Sequence, residues 1–409
     1  MGYRRLRIGR GKSYAGSARR WARQLLDRFR AELSEYDGRQ ESAQPSDGMD
    51  FCGPHYRWPS ARYTDNCSPP RAGGSLGRLT PTAAPDSERP MEAVALFAPS
   101  ASKAFAGRLA STLDIPLSPL EEFVFDSSER ILRPLERVHG LSVYVLQSLF
   151  GDALGSANDR LCALLLLIGA LKDAGAKRVT ACVPYLAYAR QDKHTQDRDP
   201  VSTRYVAQLL EAVGVDRVLA MEVHNPAAFD NAFRCETIRL DATAAFVQHF
   251  VVDAAGHDYA VATPDIGGAK RARHFQELLQ AALGRVVNFA FMDKTRNHGV
   301  VSGSLFAGDV AGRRVIIVDD LISSGTTVIR AVEACRKAGA VRVDVAATHA
   351  SFSAEAVRLF GADKPDSIVV TDSIDLGEVF SAYLTTGLTV LALAAPVAEA
   401  IRRLEQCRS

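Results

Sequence analysis

A chain of 409 residues that is 47% hydrophobic and 23% charged has room for two domains and an appended segment, and a net charge of +2 gives no overall reason to expect nucleic acid or a membrane as its main partner. Seven cysteines, odd in number and without metal-ligand spacing, suit a reducing cytoplasm better than a disulfide framework. The most apolar runs, 161–171 and 388–395, are well short of the roughly 20 residues that cross a bilayer, so no transmembrane helix is expected.

Residues 1–90 differ in texture from everything after them. The opening carries Arg4, Arg5, Arg7, Arg10, Lys12, Arg19, Arg20 and Arg23, and 37–90 is rich in Pro, Gly, Ser and Asp with no helix or strand period. Such a segment cannot bury a core and is expected to be disordered, with Met91 as the functional start. A targeting or nucleic-acid arm is the competing reading, since Trp21, Leu25, Leu26 and Phe29 fall at helical spacing. Against it stand the acids Asp27, Glu32 and Glu35 and the lack of a hydrophobic signal region.

From residue 91 the pattern alternates between strand and helix. EAVALFAP, SKAFAGRLASTLD, SVYVLQS, NDRLCALLLLIGALKDAGA, RVTACVPY, PVSTRYVAQLLEAVG and RVLAMEVH predict a doubly wound parallel sheet over 91–238. ATAAFVQHFVV, DYAVATPD, AKRARHFQELLQAAL, RVVNFAFMD, IIVDDLISSGTT and VRVDVAATHA predict a second over 239–409. The fold class is therefore α/β, two mostly parallel sheets in tandem flanked by helices, with ligand loops at the strand carboxyl ends.

Those carboxyl ends carry the chemistry. Arg190, Gln191, Asp192 and Lys193 follow RVTACVPY, where cations suit polyphosphate and Gln with Asp can read a base edge; a solvated charged loop explains them equally well. His224 ends RVLAMEVH, either as a metal ligand or, the better reading of an isolated histidine, as a satisfied core residue. Asp265 precedes two glycines that let a phosphate approach bare backbone, although a tight turn also uses Gly-Gly. Lys294 and Arg296 follow the strand RVVNFAF in a Gly-containing stretch able to move, as phosphoryl transfer needs of cations that close on a site. The most specific string is IIVDDLISSGTT. An apolar strand delivers Asp319 and Asp320, acceptors for vicinal sugar hydroxyls. Ser323, Ser324, Gly325, Thr326 and Thr327 then open a helix whose N-terminus cradles a phosphate. Together they describe a sugar phosphate held at both ends.

This last string resembles the phosphoribosyl-pyrophosphate loop of phosphoribosyltransferases and of ribose-phosphate pyrophosphokinases. The order PYLAYARQDK, EVHNPAAFDNAF, TPDIGGAKRAR, MDKTR, VDDLISSGTT, VVTDSIDL resembles the pyrophosphokinase family over all of 91–409. The resemblance implies two tandem phosphoribosyltransferase-like domains, a homo-oligomer, and transfer of the β,γ-pyrophosphate of ATP to the 1-hydroxyl of ribose 5-phosphate for nucleotide biosynthesis. It implies that Phe125, Glu129, Arg190, Gln191 and Asp192 contact ATP, that His224 and Asp265 hold Mg2+, and that Lys294 and Arg296 stabilise the transition state. Asp319, Asp320 and 323–327 would bind ribose 5-phosphate.

Four positions depart from the family pattern. Its Phe-Ser-Asp-Gly-Glu adenine segment reads Phe125-Asp126-Ser127-Ser128-Glu129, its Asp-Leu-His reads Glu222-Val223-His224, Ser323 replaces a common acid, and 149–157 is a longer loop. A non-catalytic regulatory paralogue is the alternative these changes raise; a phosphoribosyltransferase is a further one that leaves Lys294 and Arg296 unexplained.

Overall fold

Residues 94–252, 256–297, 300–361 and 364–406 are described by a computed structural model, and the side chains of 293–297 and 300–305 lie outside that description. The expectations for residues 1–90 also lie outside the described residues.

The first sheet contains β1 (Val94–Phe97), β4 (Ser142–Leu146), β5 (Arg178–Val183), β6 (Arg217–Met221) and β7 (Glu236–Leu240), all parallel and in the order β1-β4-β5-β6-β7. Runs such as Val179–Val183 are buried on both faces, which is why they read as continuously apolar. Helices α1 (Lys103–Leu113), α2 (Ala157–Asp173), α3 (Ser202–Ala212) and α4 (Pro226–Ala232) make the connections. An antiparallel hairpin of β2 (Leu120–Val124) and β3 (Arg130–Pro134) forms a separate two-stranded sheet.

The longer loop at 149–157 is shaped by one buried cation. Arg160 donates to the Phe150 carbonyl at 2.8 Å, pairs with Asp152 at 2.5 Å and lies 3.6 Å above the Phe150 ring. The loop closes into α2 through a capping box, Ser156 and Asp159 each accepting the other's backbone N–H.

The second sheet has seven strands in the order β10-β9-β8-β11-β12-β13-β14. They are β8 (Tyr259–Thr263), β9 (Asn288–Asn297), β10 (Val300–Ala307), β11 (Arg314–Ile322), β12 (Arg342–Ala350), β13 (Ser367–Thr371) and β14 (Leu388–Leu391); β10 alone among them pairs antiparallel. Its helices are α5 (Thr243–Val251), α6 (Ala269–Leu283), α7 (Thr326–Lys337), α8 (Gly377–Ser381) and α9 (Ala394–Gln406). Each sheet has its own apolar core, one built on Val143, Val179 and Val218, the other on Val315, Ile317 and Val345. The closing helix α9 returns to the first sheet, where Tyr144 donates to Glu405 at 2.5 Å and Arg402 donates to the Thr112 carbonyl. Among the described residues no helix is long and apolar enough to cross a membrane.

Candidate active site

The carboxyl ends of β5, β6, β8 and β11 face one cavity of ≈ 880 Å³ lined from both sheets. Its floor is the end of β11. Parallel pairing on both sides buries Arg314–Val318 and carries Asp319 and Asp320 to the strand end, where Asp320 is only 7% exposed. The backbone then turns through Gly325 at φ +75, where a Cβ would lie 2.6 Å from Leu359, so both conformation and space demand glycine. Thr326 opens α7, and Ser324 Oγ and Thr326 Oγ1 stand 3.1 Å apart, leaving backbone donors and hydroxyls together at a helix N-terminus.

His224 from the first sheet meets these acids directly. Its Nδ1 is 2.6 Å from Asp320 Oδ2. A third group, Arg271 in the first turn of α6, donates from Nε to Glu222 Oε1 at 2.7 Å and approaches Asp320 Oδ1 at 3.6 Å. Burial would raise the Asp320 carboxyl, but the His224 hydrogen bond and the Arg271 guanidinium outweigh it and hold Asp320 below the usual carboxylate range. Burial and the neighbouring Asp320 charge push Asp319 well above that range. The two adjacent acids thus differ, Asp320 carrying the charge and Asp319 retaining a proton more readily. Burial also raises Glu222, against the opposing pull of Arg271.

Asp265 lies just past β8 and caps the short helix Ile266–Gly268, accepting from the Gly268 N–H at 3.1 Å. A Cβ at Gly268 would sit 2.5 Å from Thr263 Oγ1, so close packing is one reason for that glycine; both Gly267 and Gly268 line the cavity. Arg190, Asp192 and Lys193 also line it, with Asp192 accepting from Asn225 at 2.6 Å. Gln191 does not line it: Ser202 at the start of α3 donates to its Oε1 at 2.5 Å.

Phe125 and Glu129 stand apart from the cavity, on the β2–β3 hairpin. Phe125 is 44% exposed, and Glu129 accepts from Ser127 at 2.7 Å. The backbone of Lys294 and Arg296, expected in a mobile stretch past the strand, instead continues β9, opposite Ser304 and Val301 of β10. Pairing with VVSGSLFA extends the ladder beyond the apolar run at which the expected strand stopped. Their side chains lie outside the described residues.

Two residues near the site were not singled out from the sequence: Arg271, which pairs with Glu222, and His349 near the end of β12. Only His349 left a signal, as the polar pair Thr348-His349 near the carboxyl end of a buried parallel strand, the end at which such sheets bind ligands.

Known proteins resemble this chain over most of its length. Residues 94–214 match the model of the N-terminal domain of ribose phosphate pyrophosphokinase, and residues 302–409 match the phosphoribosyl synthetase-associated domain. The ribose-phosphate pyrophosphokinase of Haemophilus influenzae is 35% identical over 316 residues, covering 77% of this chain and 96% of that protein. The protein of the same name from Vibrio vulnificus is 36% identical over 318 residues, covering 76% and 95%. The crystal structure of phosphoribosylpyrophosphate synthetase from Mycobacterium smegmatis superposes with a TM-score of 0.69 at 32% identity, covering 77% of this chain and all of that one (100%).

Proposed function

Because the chain belongs to the ribose-phosphate pyrophosphokinase family, we propose that the cavity between its two sheets is where ATP and ribose 5-phosphate meet. The chain is a ribose-phosphate pyrophosphokinase: the 1-hydroxyl of ribose 5-phosphate attacks the β-phosphorus of ATP, the bond to the α-phosphate breaks, and phosphoribosyl pyrophosphate and AMP leave. The observation that carries the residue assignment is the 2.6 Å contact of His224 with Asp320, which joins a loop of the first sheet to the acid pair of the second.

In this reading the α7 N-terminus and 323–327 hold the 5-phosphate through backbone N–H groups and hydroxyls. Asp319 and Asp320 accept from the sugar hydroxyls and orient the ring. Arg190 faces the polyphosphate, and Asp192 is positioned by Asn225 toward the nucleotide. Lys294 and Arg296 supply cations to the transferring group; such a reaction needs charge stabilisation more than a nucleophilic side chain.

Mg2+ fits a site with few protein ligands: it keeps several waters and binds through one or two side chains plus substrate phosphates, and among the described residues no three His, Cys, Asp or Glu side chains cluster as a complete cage. His224 and Asp265 would hold the ion, His224 through Nε2 because Nδ1 is engaged by Asp320. When bound it supplies charge neutralisation on the polyphosphate.

Phe125 and Glu129 lie outside the cavity lining, so as ATP contacts they require a second copy to bring its hairpin to the cavity mouth. This is the physical ground for a homo-oligomer, placed in the cytoplasm with other nucleotide biosynthesis. Incubation with ATP, Mg2+ and ribose 5-phosphate tests the assignment: AMP and phosphoribosyl pyrophosphate should form, with Lys294→Ala far slower. ATP binding without product above that variant would support a non-catalytic paralogue instead.

A further inference from the structure

His349 is buried, 3% exposed, and belongs to none of the roles assigned above. It lies on β12 of the second sheet, yet its Nε2 is 3.1 Å from the backbone carbonyl of Glu222, which follows β6 of the first sheet. Its Nδ1 is 2.9 Å from Ser373 Oγ, just past β13. Ser373 in turn accepts at its carbonyl from Ser148 Oγ, 2.5 Å away, in the loop after β4. A polar strap therefore runs from the first sheet, through the second, and back to the first.

The protons on it are determined by its ends. A carbonyl only accepts, so Nε2 carries the hydrogen and donates to Glu222; Nδ1 must then accept, and Ser373 Oγ–H supplies the bond. The Ser373 hydroxyl also lies 3.1 Å from the Thr348 carbonyl, but Thr371 Oγ1 already donates there at 2.6 Å, and the nearer, otherwise unprotonated Nδ1 at 2.9 Å is the better acceptor for its one hydrogen. Burial holds the imidazole down to about 4, so the ring is neutral and this tautomer persists.

Glu222 is where the strap acts. Its φ of +42 is in the left-handed region, sparsely used by residues other than glycine, Asn and Asp, and such a conformation persists only when its surroundings overdetermine it. Three groups do so. The Glu222 N–H donates to the Leu240 carbonyl at 2.7 Å, its carboxylate holds Arg271, and its carbonyl receives His349. Two of those three holds come from the second sheet. Two residues later the chain reaches His224 and its contact with Asp320.

We propose that His349 is a positioning residue of the reaction, whose Nε2–H pins the strained Glu222 peptide and so sets the approach of His224 to Asp320. The inference rests on the proposed function, because it gives a role to the loop that function uses. Catalysis then depends on the donor aimed at Glu222 and not on the acceptor aimed at Ser373, and amide side chains separate the two. In His349→Gln the longer amide reaches the Nε2 position and still donates to Glu222; in His349→Asn the shorter amide reaches only toward Ser373.

His349→Gln is expected to keep kcat within about threefold of wild type, the effect of a small hydrogen-bond difference. His349→Asn should lower kcat by about tenfold to a hundredfold, the range for loss of a supporting contact behind a site ligand. Ser373→Ala should stay within about threefold, as an acceptor-side change would. Amide hydrogen exchange over 221–225 should quicken in His349→Asn and not in His349→Gln. A residue with only a structural role predicts equal kcat and equal exchange in the two histidine variants. That result would overturn the proposal, as would failure of both variants to fold. Absence of turnover in wild type would overturn the assigned function, whereas the exchange contrast would still report on the strap.

Discussion

Acidification should cost this protein stability through His349 in a window set by two pKa values. In the unfolded chain the ring has an ordinary pKa near 6.5, and in the folded protein burial depresses it to about 4. Above about pH 6.5 the ring is neutral in both states and folding is indifferent to it. As pH falls below that point the unfolded chain binds a proton that the folded protein refuses, so unfolding becomes easier. The loss is about 1.4 kcal/mol per pH unit until the folded ring also protonates near pH 4, where the full cost of roughly 3 kcal/mol has been reached. Between about pH 7.5 and about pH 5.5 this histidine alone should remove about 1.3 kcal/mol. His349→Gln cannot take up that proton. Urea unfolding free energies of wild type and His349→Gln, each measured at both pH values, isolate the term because the other titrating groups cancel. Wild type should lose about 1.3 kcal/mol more than the variant over this interval. Equal losses would refute the reasoning, since the ring would then titrate alike folded and unfolded.

Four further outcomes are expected. Arg271→Met strands Glu222 at 11% exposure beside Asp320 and should cost about 3–5 kcal/mol in urea unfolding, most of it recovered in the double variant with Glu222→Gln; a double variant as unstable as the summed singles would contradict the pairing. Asp320→Asn should lower kcat and raise KM for ribose 5-phosphate, because Asp320 holds both the charge and His224, whereas Asp319→Asn should act mainly on KM; identical steady-state patterns would show the acids to be equivalent. Gly325→Ala meets Leu359 and an unfavourable φ, so calorimetry should show a loss of about 1–3 kcal/mol together with weaker binding of ribose 5-phosphate. Deleting residues 1–90 should leave kcat within about twofold and unfolding free energy within about 0.5 kcal/mol of the full chain; loss of assembly or activity would favour the basic-helix reading of that segment.

The sequence by itself determined what is local. Continuous apolar runs specify parallel strands buried on both faces, and Asp319, Asp320 and 323–327 could be placed from one string because strand, turn and helix N-terminus are consecutive in the chain. The same locality put Asp265 beside its glycines and His224 at the end of β6. Tertiary structure decided everything that depends on one sheet meeting the other. His224 read alone was better explained as a core residue, and only its contact with Asp320, 96 residues away in sequence, makes it part of the site. Arg271 looks like any charge on an amphipathic helix until Glu222, 49 residues distant, and Asp320 converge on it. Gln191 shares a loop with Arg190 and Asp192 yet is drawn off to Ser202. Lys294 and Arg296 read as loop residues because their polarity ended the strand pattern, and the backbone ladder with β10 overrode that preference. His349 and Glu222, 127 residues apart, show the division most clearly. A strained peptide and a neutral buried ring each look unfavourable in isolation, and only the folded arrangement supplies the partner that makes both stable.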